Sequence, residues 1–361
     1  MDLVVYDKNL QRKGPIGYWT GKVTMQYLQP GRMQFTVGRD NPRWADLNAV
    51  GARVAAEIDG TPVMSGAVQS RSGESKSTDW DITVIDDLVM ATGVLIWPNP
   101  DQPITGQTSA YKVSKGFAET VVKNLITANQ PAPNVVTAAA TQGRGPRIVS
   151  TFRWHKLLDR IDLEHAGLGL KVVQTGGQIV ADVWETATHS RVYEWPVVAE
   201  WSASWNAPTV TRVIAAAQGA GVARQMRLLA DFPTETSWRI AREAFIDARD
   251  IDTLDVDQSA ELDDRMAAAL ASGAATVSAK AVLSETDHFR WGTGYQLGDI
   301  LTLRLDPSMP LVTERIRKVE FICNGSSLTV TPYVGDLLID YPELRATARL
   351  RGRVDSLERS P

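Results

Sequence analysis

Apolar and polar residues alternate with a period of two through much of the first hundred positions, the pattern of strands that bury one face. The runs at 3–6, 33–37, 55–58, 63–68 and 80–85 carry it. Asp7-Lys8-Asn9 has turn composition and closes the first run. Pro30-Gly31 is expected to turn into the second, and Asp59-Gly60 to join the third and fourth as a tight hairpin. A polar tip at 70–78 precedes the fifth. Short antiparallel strands at this spacing predict a small β-barrel over residues 1–104, because closure removes exposed edges.

The period then changes. Phe117, Val121, Leu125 and Ile126 share one helical face. Trp154, Leu157, Leu158, Ile161 and His165 follow the spacing of a second helix, stopped by Gly167 and Gly169. The uncharged stretch 130–143 between them reads as an exposed loop, and a hairpin of 170–174 with 178–184 turns at Gly176-Gly177. Residues 105–190 are thus predicted to form a separate, helix-containing α/β lobe. From Tyr193 the β pattern returns, with strands expected at 209–216, 237–247, 275–282, 300–305, 314–322 and 327–333. Asn324-Gly325 marks another tight hairpin. One helix interrupts these strands, with Leu262, Met266 and Leu270 inward and Gly273 just past its end. A second barrel over 191–340 and an arginine-rich tail over 341–361 complete the predicted, mainly β architecture.

Composition narrows the function classes. A net charge of −4, from 42 acidic and 38 basic residues, gives no global basic field for nucleic acid. The longest uncharged apolar stretch, 88–97, is too short to span a bilayer, and the start lacks a signal-like segment, so folding in the cytosol and no membrane insertion are expected. One cysteine, Cys323, excludes an intrachain disulfide and a multi-cysteine metal site; it is expected to pack in a strand.

Candidate chemistry is sparse. Asp247, Asp250, Asp252, Asp255, Asp257 and Glu261 suggest a calcium loop, but the sharp-turn glycine is replaced by Asp255 and the fifth position is Leu254, so a solvated loop before a helix fits better. His155, His165, His189 and His288 are scattered, with no metal-ligand spacing; His155 and Asp159 are expected as a surface pair one helical turn apart. Gly292, Gly294 and Gly298 precede a strand where a phosphate site needs a helix, so they read as a strand-connecting turn, and 143–147 as a loop rather than an anion nest. No catalytic or metal residue, and no cofactor, is assigned. Trp195, Trp201 and Trp205 lie close together; Trp201 and Trp205 are the candidate glycan contacts, against the alternative of buried anchors. Leu350, Val354 and Leu357 have heptad spacing in the tail and are the candidate partner contacts.

The order of these segments resembles the tail-tip hub proteins of siphophages, the baseplate hub or minor tail protein family. The opening Leu3-Val-Val-Tyr-Asp-Lys-Asn-Leu10 is similar to their first hairpin. The passage from Ser65-Gly66 to Val68, then 80–88 with its Asp86-Asp87-Leu88, resembles their strand, long tip and strand. The helical lobe, the 238–249 run, Leu297-Gly298-Asp299-Ile300 and the close on Pro332-Tyr-Val-Gly335 follow in matching order. The resemblance implies a structural, non-enzymatic hub at the virion tail tip, assembled in the host cytoplasm. It implies two β-barrels per chain in a homotrimeric ring that adapts a sixfold tail tube to threefold tip or fibre proteins. The implied partners are a distal tail protein ring, the tape measure protein and tail-tip or fibre proteins. Many hubs continue into a peptidase or fibre domain, which a chain ending at Pro361 is expected to lack. The alternatives from other classes are a tail-associated cell-wall hydrolase and a carbohydrate-binding receptor module.

Two structural expectations follow. Gly298 is expected to take a positive φ in the turn feeding the 300–305 strand. The two terminal β blocks are expected to be separate copies of one barrel; their merging into one continuous sheet would count against that reading.

Overall fold

A computed structural model describes residues 1–335 apart from 108, 110, 132–135, 250, 252, 255 and 326. Seven strands build the N-terminal block: β1 (Asp2–Tyr6), β2 (Arg12–Pro15), β3 (Thr20–Gln26), β4 (Gln29–Gly38), β5 (Arg53–Ile58), β6 (Thr61–Gly73) and β7 (Asp79–Asp86). Two short helices, α1 (Trp44–Asn48) and α2 (Val89–Thr92), accompany them. Strand alternation is clean: in β4, Met33, Phe35 and Val37 are buried while Arg32 and Gln34 are exposed. Asp59 and Gly60 both take positive φ in the β5–β6 turn, as the tight hairpin requires. Pro30-Gly31, expected as a turn, lies inside β4. The reversal falls earlier, at Tyr27-Leu28, where Leu28 has φ 56°.

The lobe comprises β8 (Lys112–Phe117), α3 (Ala118–Ala128), β9 (Val136–Ala138), β10 (Arg147–Phe152), β11 (Leu168–Thr175) and β12 (Gln178–Glu185). Its core joins Val121, Val122, Leu125 and Ile126 of α3 to Phe152, Leu157, Ile161, Leu170, Val172 and Val183. The β11–β12 hairpin turns at Gly176-Gly177 as expected. The supposed loop 130–143 contains β9, which pairs in parallel with β12, so it is not loop throughout. The second helix does not form. Trp154 takes φ 60°, the side chains of Asp159 and Asp162 accept backbone N–H bonds from Lys156 and His165, and only a 3-10 turn at Leu157–Asp159 results. Leu157 and Ile161 are buried all the same, so a chain of turns satisfied the spacing that predicted a helix. Gly167 does turn the chain, at φ 68°. Gly169 instead lies in β11 under the Trp184 ring, where a Cβ would come within 2.2 Å of it.

Beyond the lobe come β13 (Thr188–Tyr193) and β14 (Val198–Asn206). Then β15 (Arg212–Ala216), β16 (Met226–Ala230), α4 (Phe232–Trp238), β17 (Glu243–Asp247) and α5 (Val256–Ser272) follow. Last are β18 (Thr276–Leu283), β19 (Ile300–Leu303), β20 (Val312–Asn324) and β21 (Leu328–Gly335). The stretch expected as one barrel over 191–340 is therefore interrupted. Ser202–Ala279 is a compact unit of its own, with a sheet in the order β16-β15-β17. Val213 and Ala215 of β15 pack there against Leu262 and Met266 of α5, leaving Gly273 just beyond the helix as predicted. The strand expected over 237–247 is only β17, because α4 occupies the residues before it; Asp231 caps α4 by accepting the Thr234 N–H.

The rest of the chain forms the larger unit, and one strand decides its topology. The N-terminal part of β20 pairs with β19 (Ile300 opposite Arg315), and its C-terminal part pairs with β3 (Phe321 opposite Val23). Along its other side β20 pairs with β21, with a register shift between Ile316 and Lys318. The shift moves the buried set from Val312 and Ile316 to Val319, Phe321 and Cys323, a change of phase that one extra residue produces. Through β20 the two terminal β blocks become one ladder, β18-β21-β20-β3-β4-β7-β6-β5-β1-β2. Two self-contained copies of one barrel are thus not what the chain builds. The C-terminal strands complete the N-terminal sheet because the β19 side of β20 ends at the shift and leaves the following residues open to β3.

Side chains lock this junction. Tyr27 donates its N–H to Arg317 O (2.9 Å) and its hydroxyl to Leu168 O (2.6 Å). The Arg315 guanidinium lies 4.9 Å from its ring, and Glu164 holds Arg317 in a bidentate pair at 2.6 Å on both sides. Gly298 fits against the same ring. Its φ is 93°, as expected for a glycine-only turn, and a Cβ there would sit 2.5 Å from the Tyr27 ring. Gly298→Val is therefore expected to lower stability by about 1–3 kcal/mol from backbone strain alone, with the ring clash adding to it. An unchanged thermal midpoint by circular dichroism would refute this.

Candidate functional site

The polar side chains that sequence reading passed over gather in three buried clusters, all in the larger unit. The first lies where β7 ends. Asp87 is buried and accepts from Arg53 and from the Ser65 hydroxyl. Arg53 Nε donates to Gln174 Oε1 (2.9 Å), and the Gln174 N–H donates to Ser65 Oγ (2.7 Å). Every member has its partner, which burial of such groups demands. Beside it, Asp86 accepts the N–H groups of Leu88 (3.0 Å) and Gly31 (3.1 Å). It retains some accessible surface but is ringed by protein on most sides. Burial pushes its carboxyl up to about 7, against the pull of the two N–H groups and with the aid of the Asp87 charge.

The second cluster sits inside the lobe. Lys123 and Glu119, one turn apart on α3, are both fully buried; Lys123 Nζ meets Glu119 (2.8 Å), Asp182 (2.9 Å) and the Ala140 carbonyl (3.2 Å). The other Glu119 oxygen accepts the N–H groups of Gln142 (3.0 Å) and Arg144 (2.8 Å). Burial opposes its ionisation, but Lys123 and these N–H groups outweigh burial and hold the carboxyl below its ordinary value. The loop at 143–147, read as no anion nest, does cradle an anion through its approach at 142–144, and that anion is the chain's own Glu119.

The third cluster has the outline of a proton relay. His189 Nδ1 lies 3.0 Å from the Tyr193 hydroxyl and its Nε2 lies 3.0 Å from Asp299 Oδ2. Asp299, however, also accepts the N–H groups of Ala187 and Gln296, both at 2.9 Å. Burial raises the Tyr193 hydroxyl above its ordinary value, so it is a poorer proton donor and no ready nucleophile. The arrangement fastens the 187–193 segment to the turn before β19. It is a staple between strands that run in parallel.

The residues singled out from sequence fare differently. Trp201 and Trp205 are each 40% exposed and Trp195 is 81% exposed, so none is a buried anchor. Trp201 closes the first stretch of the larger unit and Trp205 belongs to the smaller one. Leu350, Val354 and Leu357 lie outside the described residues, as do Asp250, Asp252 and Asp255. Asp247 pairs with Arg224 and Arg249. His155 is buried rather than a surface residue, and its Nδ1 accepts the Arg153 N–H (3.0 Å); it shares no helix with Asp159. Gly292 and Gly298 occupy turns between Thr286 and Ile300, as expected of a connection. Cys323 packs in β20, buried. Among the described residues no group of three or more His, Cys, Asp or Glu is placed to hold a metal ion, and no helix is long and apolar enough to cross a membrane.

A family model, the siphovirus ReqiPepy6 Gp37-like protein, matches residues 2–336. The chain belongs to that family. Among solved structures it is similar to the prophage tail protein gp18 from Listeria monocytogenes EGD-e, with a TM-score of 0.54 and 10% identity over 97% of this chain and 98% of that one. It is also similar to the 43 kDa tail protein of prophage MuSo2 from Shewanella oneidensis, with a TM-score of 0.52 and 12% identity over 92% and 98%. The tail protein from Neisseria meningitidis MC58 gives 0.51 and 15% over 94% and 98%. No curated protein matches the chain. Family and fold together make this Gp37-like chain a β-rich structural protein of a phage tail.

In this Gp37-like protein the clusters escaped sequence reading because each joins a short local pair to partners far away, 110 residues in the case of His189 and Asp299. The local signals were Asp86-Asp87, Glu119 with Lys123, and His189 with Tyr193. Asp86 also yields a pH dependence. Between the ordinary aspartate value of 3.8 and about 7 the folded chain keeps this carboxyl protonated while the unfolded chain ionises it. The folded state then holds the extra proton, so this group's contribution to stability declines as pH rises through that window. Denaturant melts from pH 4 to 8 should show that component vanish in Asp86→Asn; identical pH profiles for the two proteins would reject it.

Proposed function

We propose that this Gp37-like protein is a baseplate hub at the tail tip, a homotrimer that adapts a sixfold tail tube to threefold tip or fibre proteins. In this reading it contacts a distal tail ring and the tape measure protein on one side and tip or fibre proteins on the other. It acts without catalysis, after assembly in the host cytoplasm. The observation that carries the proposal is the match of residues 2–336, of 361, to a siphovirus family, in a chain whose first and last described strands are joined into one ladder. For a trimer to meet a sixfold partner, each chain has to offer two surfaces alike enough to face equivalent tube subunits. Light scattering of the purified protein should give three times the 39.5 kDa chain mass, and electron microscopy of tails should place it at the tip. A stable monomer together with its absence from virions would sink the proposal.

The exposed indoles favour a second reading, a carbohydrate-binding receptor contact, since an aromatic face open to solvent is a stacking platform for sugars. Glycan-array signal lost in Trp201→Ala or Trp205→Ala would establish it. A blank array with the intact protein would remove it.

A further inference from the structure

The lobe carries a two-stranded ribbon, β8 paired with β10, that no third strand joins among the described residues. Register and burial settle its faces. Phe152, Ser150 and Ile148 of β10 turn inward with Lys112, Ser114 and Gly116 opposite them, and Phe152 and Ser150 are buried. The outward face has three rows: Phe117 opposite Arg147, Lys115 opposite Val149, and Val113 opposite Thr151. Val149 is 72% exposed, Val113 58% and Phe117 38%. The face is thus apolar and cationic at once, and none of its residues is acidic.

Its cations have no carboxylate among the described residues. The Arg147 guanidinium rests over the Phe117 ring at 5.0 Å, and Arg153, just past the end of β10, over Tyr111 at 5.8 Å. Lys112 and Lys115 make no ion pair there either. Of the acids nearest in sequence, Glu119 is taken up by Lys123 and the backbone around it, and Asp159 accepts the Lys156 N–H. Nor do backbone bonds among the described residues reach the outer edges of β8 or β10.

We infer that this ribbon is a docking site for an extended acidic segment of a partner protein, which adds to it as a third strand. The edge of a strand offers alternating N–H donors and carbonyl acceptors, a pattern that only another backbone matches along its length. Phosphate and lipid headgroups carry the right charge but lack the donors for the carbonyls. A second copy of the ribbon has the right backbone but brings Lys115 and Arg147 against their own kind, which disfavours self-pairing. Acidic side chains alternating with apolar ones place carboxylates near Lys115 and Arg147 and apolar groups over Val113 and Val149. The inference stands apart from the hub proposal, since it concerns one face of the lobe and not the oligomer or its place in the virion.

The test uses the full-length protein and fluorescein-labelled peptides of about eight residues, read by anisotropy. Three are compared: alternating valine and glutamate, alternating valine and lysine, and the first with a central proline. The glutamate peptide should bind, more weakly as salt rises, while the lysine and proline peptides should bind at least about tenfold more weakly. The double variant Lys115→Glu, Arg147→Glu should reverse the preference between glutamate and lysine peptides, with an unchanged circular dichroism spectrum. If that variant does not fold, the comparison of the three peptides on the unmodified protein still decides. No binding of the glutamate peptide, equal binding of the proline peptide, or tighter binding of a single-stranded oligonucleotide or of phosphatidylserine vesicles would overturn the inference.

Discussion

The larger unit depends on an exchange of partners along β20. Before Arg317 the strand belongs with β19, and after it with β3. The extra residue in the β21 register switches which side chains face the core, so the strand can pair with β19 and then with β3 while burying apolar side chains along both halves. Such a switch puts charged residues where a regular strand would put apolar ones. Arg315, nearly buried, and Arg317 are held by Glu164, by the Gly298 carbonyl and by the Tyr27 ring. Tyr27 ties the three parts of the unit together: its N–H to β20, its hydroxyl to β11, its ring against the turn before β19. Removing the switch would leave the N-terminal sheet with a bare edge at β3.

The three polar clusters extend the same logic. Arg53 with Asp87 connects β5 to the end of β7 and, through Gln174, to β11 of the lobe. Lys123 draws Asp182 of β12 onto α3, and His189 draws Asp299 to β13. A buried charge is costly unless each of its hydrogen bonds is met, and these are met only when the strands stand in one particular register. Apolar packing alone would let these elements slide. The clusters fix where they stop, and their oxygens and nitrogens are occupied in doing so, which leaves little of their chemistry free for a substrate.

Much of the architecture was legible in the chain because its strands bury one face each. Alternation located β4, β5, β7, β19, β20 and β21, and Asp59-Gly60, Gly176-Gly177 and Asn324-Gly325 located three hairpins. The failures have local causes. The apolar spacing from Trp154 to His165 matches a helix, yet Asp159 and Asp162 offer the backbone competing bonds and Trp154 leaves the helical region altogether. Pro30-Gly31 looks like a turn, but Gly31 passes so close to Thr24 O that only glycine fits inside the strand. The Ser202–Ala279 insertion could not be told from barrel strands, since β15 and β17 alternate as barrel strands do and what sets them apart is the separate sheet they form with β16. The polar clusters leave only local fragments of themselves in the sequence, since the partners that complete them lie as far as 109 and 110 residues away.

The tail proteins that share this fold do so with 10–15% identity over nearly their whole length. At that distance most side chains differ while the fold is shared. A shared fold leaves specificity to the surfaces that are free to vary. In this chain the strands inside the ladder are paired on both sides, whereas among the described residues each strand of the β8–β10 ribbon has an open edge, beside an apolar, cationic face. Soluble proteins blunt open edges with charge to keep strangers away, and lysines are a common means. Charge of one sign blunts an edge only against neutral or like-charged strands. Against an acidic strand it attracts, so the residues that protect this edge in solution are the same ones that select what it admits.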